Sequence, residues 1–152
     1  MLETMRIGVV IVVLALLAGC GGDEAEAPGG GEDGGTRLEG PLTYTRGGGI
    51  AGRADKLVVQ PDGAATLTTR QGGERRFRLT DAELAGVAGE LRRANLDELP
   101  ERSVSDPPVP DAFGHRVAYG GVTVTADDPA MPEQLSALVA RLGGVVQAHE
   151  KG

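Results

Sequence analysis

Few side chains in this sequence are of the kinds that do covalent or metal chemistry. The two histidines, His115 and His149, belong to no HExxH pair and to no cluster of carboxylates at metal-ligand spacing. Asp111 stands four residues before His115, but Pro110 and Gly114 oppose a helix that would align them, so the pair reads as a solvated loop. His149, near the tail, is expected to be exposed. Asp127 and Asp128 suit the first turn of a helix better than a calcium loop, whose glycine-bearing ring of oxygen ligands is missing. Ser103, Ser105 and Ser136 lack the GxSxG elbow of a serine nucleophile. Gly47, Gly49 and Gly52 satisfy GxGxxG after a predicted strand. The next segment, however, reads as another strand rather than the helix whose amides would hold a pyrophosphate, and the P-loop lysine and hydroxyl are absent. The expectation is a protein that is not an enzyme, with no metal, no cofactor and no nucleotide.

One residue does point to chemistry. Cys20 follows Leu17-Ala18-Gly19, and before these Arg6 introduces an uninterrupted run of apolar residues and glycine from Ile7 to Leu17. That run is too short for a bilayer core, which needs about 20 residues, but fits the apolar region of a secretory leader. Leu17, Ala18, Gly19 and Cys20 match the lipobox of bacterial lipoproteins. The motif implies that the Cys20 thiol takes a diacylglyceryl group, after which the leader is cut before it. The alternatives are an unpaired Cys on an exported soluble protein, or an uncleaved N-terminal anchor. Cys20 is the sole cysteine, so no intrachain disulfide can form. Translation starts at Met1 or at Met5; the second gives a leader without Glu3.

The chain has 152 residues, room for one ordinary domain, and a formal charge of -7. Asp23, Glu24, Glu26, Glu32 and Asp33 fall between Cys20 and Thr36 with no basic residue among them. This Gly-, Ala-, Pro- and acid-rich stretch has nothing to bury and predicts a charge-extended tether, with a span of roughly 20 Å. The body from Arg37 onward is close to neutral. Arg75, Arg76 and Arg78 are its nearest approach to a basic stripe, and Tyr44, Phe77, Phe113 and Tyr119 are its only aromatics. Nucleic acid is therefore not an expected partner. The organisation reads as a signal peptide over 1–19, a lipidated Cys and tether over 20–36, and one domain over 37–152.

Hydrophobic periodicity gives the architecture of that domain. Strands are predicted over Leu42–Arg46, Lys56–Gln60, Ala64–Arg70 and Arg75–Leu79, with Pro61-Asp62-Gly63 and Gln71-Gly72-Gly73 as turns. Thr80-Asp81-Ala82-Glu83 has the capping-box pattern and opens an amphipathic helix over 81–95 carried by Leu84, Val87, Ala88 and Leu91. Leu96 and Leu99 return the chain to the core. Pro100–Asp111 is expected to be irregular. A hairpin, His115–Tyr119 and Val122–Thr125, precedes a helix start at Asp127-Asp128-Pro129. The final helix, marked by Leu135, Leu138, Val139, Leu142, Val145 and Val146, runs to about Ala148. The fold class is α+β: an antiparallel sheet built from a four-strand meander and a hairpin, with two helices on one face.

Arg46-Gly47-Gly48-Gly49-Ile50-Ala51-Gly52, then a strand, the Pro-Asp-Gly turn and the Leu-Thr-Asp-Ala-Glu helix opening at Leu79–Glu83, resembles the emfourin family. The likeness continues through Leu96-Asp97-Glu98-Leu99-Pro100, the Gly120-Gly121 hairpin and the last helix, and so covers Thr43 to about Val146. Emfourin-type domains are small protein inhibitors of thermolysin-like zinc metallopeptidases. Their corresponding stretch reads approximately Arg-Ser-Gly-Gly-Phe-Ala-Gly, so Arg46, Gly48, Gly49, Ala51 and Gly52 match, while Gly47 and Ile50 depart from it. The resemblance implies an inhibitory loop over Arg46, Gly47, Gly48, Gly49, Ile50, Ala51, Gly52 and Arg53. Ile50 would enter the apolar pocket of the peptidase, and Arg46 or Arg53 would pair with acids at its rim. The competing expectation is a wide turn in which Ile50 caps the core.

Taken together, these readings predict an extracytoplasmic binding protein, lipid-anchored at the outer face of the cytoplasmic membrane. Its expected partner is a secreted thermolysin-like metallopeptidase. The alternative is a structural or adaptor lipoprotein of the cell envelope that binds another protein without inhibiting it.

Overall fold

Alternation of apolar and polar residues sets the sheet. In β1 (Leu42–Gly48) Leu42, Tyr44 and Arg46 point one way, and in β2 (Arg53–Val59) Asp55, Leu57 and Val59 join them. The meander continues through β3 (Ala64–Thr69) and β4 (Gly73–Arg78), each antiparallel to its predecessor. The computed structural model describes residues 37–150. The leader, the Leu17–Cys20 motif and the acidic segment to Thr36 lie outside the described residues.

Helix α1 (Asp81–Ala94) begins at the predicted capping box. Thr80 Oγ1 accepts from Glu83 N at 3.2 Å, and the Glu83 carboxylate accepts from Thr80 N at 2.8 Å. It stops at Asn95, which adopts the left-handed conformation that ends many helices. Helix α2 (Glu133–Glu150) buries Leu135, Leu138, Val139, Leu142, Val145 and Val146. Both helices cover the same face of the sheet, and their apolar residues form one core with Leu42, Tyr44, Leu57, Val59, Leu67, Val117 and Val124. Threonines and cations line the other face: Thr43, Thr45, Lys56, Thr66, Thr68, Arg116 and Thr125.

The α+β class and the helix-covered meander agree with the sequence reading, and two features differ from it. The stretch Pro100–Asp111 is not wholly irregular. Arg102–Ser103 forms a two-residue strand, β5, parallel to β7 (Val122–Asp127), which makes the sheet mixed. A two-residue strand carries no periodicity, so only its neighbour reveals it. With β6 spanning Phe113–Tyr119, the strand order is β4-β3-β2-β1-β6-β7-β5, which puts β1 at the centre between β2 and β6. The second difference lies at Asp127-Asp128-Pro129, which caps a single 3-10 turn over Asp128–Ala130, with α2 starting three residues later.

Candidate functional site at the glycine-loop end of the sheet

The β1–β2 connection is held by its glycines. Gly48, Gly49 and Gly52 have φ of +100°, +71° and +55°, a region that side chains disfavour. Space is as restrictive as backbone conformation. A Cβ on Gly48 would stand 2.6 Å from the Ala112 carbonyl oxygen, and one on Gly49 would stand 2.6 Å from the Phe113 ring. Gly52 N donates to Gly49 O at 2.9 Å, and Arg70 Nη1 donates to Gly52 O at 3.1 Å. The tip they shape leaves Ile50 90% exposed. Ile50 therefore does not cap the core, and the wide-turn expectation is corrected on that point.

Beneath the loop the sheet face is polar. Arg46, only 9% exposed, donates through Nε and Nη2 to Asp55 Oδ2 at 3.1 and 2.6 Å, and its guanidinium lies 5.7 Å from the centre of the Phe113 ring. The pair is charge-assisted and the cation rests on an aromatic face, two interactions that arginine geometry favours. Arg46 is thus turned inward, which removes it from the rim role expected of it. Arg53 is partly exposed, but its Nη1 donates to both oxygens of Glu150 at 3.0 Å. That hydrogen bond to Glu150 is the main reason the Arg53 pKa is raised further. Gly47 pairs with Ala54 on one side and Gly114 on the other, so it is part of the sheet, and Ala51 is exposed beside Ile50.

His115 was expected in a solvated loop with Asp111; instead it is buried on β6, where parity with Val117 directs it inward. Its Nε2 lies 2.7 Å from Asp128 Oδ1 and its Nδ1 lies 3.0 Å from the Tyr44 hydroxyl. A carboxylate only accepts, so Nε2 donates to Asp128, while Nδ1 shares a hydrogen bond with the Tyr44 hydroxyl. Burial pushes the Tyr44 phenol up to about 12, and at 1% exposure its oxygen meets no substrate. The chain Tyr44–His115–Asp128 fixes β1, β6 and the turn before α2 to one another. His149 is likewise not free in solvent: it stacks on Phe77 at 3.8 Å and lies 3.8 Å from Glu83.

The β5–β6 connection forms the other wall of this end. Ser105 donates from N and Oγ to Asp127 at 2.8 and 3.1 Å, and Asp127 Oδ1 also accepts from Ala130 N at 3.0 Å. The Ser105 amide is the leading reason the Asp127 carboxyl lies below the usual carboxylate range. A cavity of about 670 Å³ lies elsewhere. It opens at the far end of the sheet beside Leu38, Leu91, Leu96, Tyr119 and Val122. Its phenol, Tyr119, already accepts from Glu39 N at 2.8 Å, and the two carboxylates that line it, Glu39 and Asp97, belong to no metal-binding cluster among the described residues. Among the described residues no cluster of three His, Cys, Asp or Glu side chains has metal-binding geometry.

Periodicity carried a signal for the buried network that motif searching did not use. Arg46 and Asp55 share parity with Leu42 and Leu57, and a charged residue on an apolar face implies a buried partner. Comparison with protein-family models and with curated proteins finds no match.

Proposed function

We propose that the chain is a non-enzymatic, lipid-anchored binding protein of the cell envelope whose glycine loop blocks a secreted thermolysin-like metallopeptidase. The single observation that supports this most is Ile50. A large apolar side chain stands 90% exposed on a loop whose glycines and flanking strands hold its backbone in one shape. Such a side chain would cross into an apolar pocket with little ordering cost, because the loop is already built. Loop backbone would add hydrogen bonds to the extended-chain cleft of the enzyme. Anchoring at Cys20 would keep the loop at high local concentration beside the membrane.

Titration of the full chain in detergent against several thermolysin-like peptidases tests the reading. Inhibition at or below micromolar concentration is expected, and Ile50→Asp should abolish it while leaving circular dichroism unchanged, since the side chain is outside the core. Absence of inhibition by the wild-type chain would leave the adaptor function, binding to another envelope protein, as the better account.

A further inference from the structure

Ile50, Val104 and Val109 are the large hydrophobic side chains left exposed among the described residues, and all three belong to the same end of the sheet. The register places them there. Gly48 pairs with Phe113, Gly114 with Asp127, and Ser103 with Ala126, so Val104 leaves β5 beside the end of β7. From there the chain passes Val109 and returns to Ala112 and Phe113, which press on Gly48 and Gly49. The two loops are therefore one body. Glycine at 48 and 49 is what lets the second loop close against the first.

We propose that the segment Val104–Asp111 is the second half of the docking surface, with Val109 as its apolar anchor and Phe113 as the residue that positions the two loops. This rests on the inhibitory reading of Ile50 and specifies what the partner must offer. From β1 to β5 is three inter-strand steps, about 14 Å, the length of about four residues of extended peptide. A cleft that takes an extended chain would thus meet Ile50 at one subsite and the second loop a few residues along. Asp106 and Asp111 flank Val109 and are exposed. The matching subsite is accordingly apolar with a cationic border. Pro107, Pro108 and Pro110 fix three φ angles in the segment, and Ser105 is tied to Asp127, so little order remains to be gained on binding.

The test compares full-chain variants in the same inhibition titration. Val109→Asp should weaken inhibition by about tenfold or more, the scale of losing one apolar anchor, and Val109→Ile should retain it. Ala137→Asp, on the exposed side of α2, should leave inhibition unchanged and so exclude a general effect of added charge. Phe113→Leu should weaken inhibition chiefly through slower association, because loops that no longer hold one another must be ordered first. Inhibition by Val109→Asp equal to wild type, with Ile50→Asp inactive, would overturn the two-loop surface and spare the glycine-loop reading. A wild-type chain that inhibits nothing would overturn both.

Discussion

At the scale of single residues, the pair Arg46–Asp55 carries the sharpest energetic consequence. Both side chains are buried, and Asp55 supplies the carboxylate that Arg46 contacts through two nitrogens. Replacing Asp55 with alanine leaves a guanidinium with no counter-charge under the glycine loop. The expected cost is about 3 kcal/mol, whereas Arg46→Met combined with Asp55→Leu should lie much nearer wild type, since no lone charge remains. Urea unfolding midpoints of the three chains check this, and equal losses for the single and double variants would contradict it. The pair was legible in the sequence only through parity: alternation along β1 and β2 put both charges on the face of Leu42 and Leu57. Which acid met which base depended on the cross-strand register, which hydrophobic alternation by itself does not specify.

At the scale of elements, helix α1 was readable almost to its ends, because a capping box and a 3.6-residue apolar period are both local signals. The Thr80 amide, then its hydroxyl, holds the Glu83 carboxyl below the ordinary range. A lowered folded-state pKa means that the ionised form is the one folding favours. Its contribution is complete above the unfolded value, about 4.3, and is lost as pH falls through the lower folded value. Thr80→Ala should raise the Glu83 pKa toward the ordinary range and cost about 1 kcal/mol. A carboxyl-carbon NMR titration of Glu83 reads the first effect and thermal unfolding the second. By contrast β5 had no local signal. It exists because Arg102 and Ser103 find Thr125 and Ala126 beside them, and the same pairing carries Val104 to the loop end.

At the scale of the whole molecule, the proposed role joins an anchor at one end of the chain to a binding surface at the end of the sheet. The anchor is testable apart from the surface. On the proposed lipoprotein reading lipid addition would precede the cut, so Cys20→Ser should leave the leader attached and abolish incorporation of labelled palmitate, whereas the wild-type chain should be shortened and labelled. Intact mass and palmitate labelling measure both. A wild-type chain that takes up no lipid would remove the anchor and leave the glycine-loop surface to be judged on inhibition alone.

By itself the sequence determined the order of strands and helices apart from β5, the helix-covered face, the cap of α1 and the glycine loop, since each follows from residue types within a few positions of one another. It also determined the Leu17–Cys20 motif, whose meaning is read along the chain and not in space. Only the tertiary structure decided which way Ile50 turns and which acid Arg46 meets. Both flank glycines in one segment, yet one is drawn inward by Asp55 and Phe113 while the other stands in solvent. It also decided that His115 is a buried link between Tyr44 and Asp128, and that Val109 shares an end of the sheet with Ile50. These are relations between residues far apart in sequence, fixed by sheet register and by the close approach that glycine alone permits.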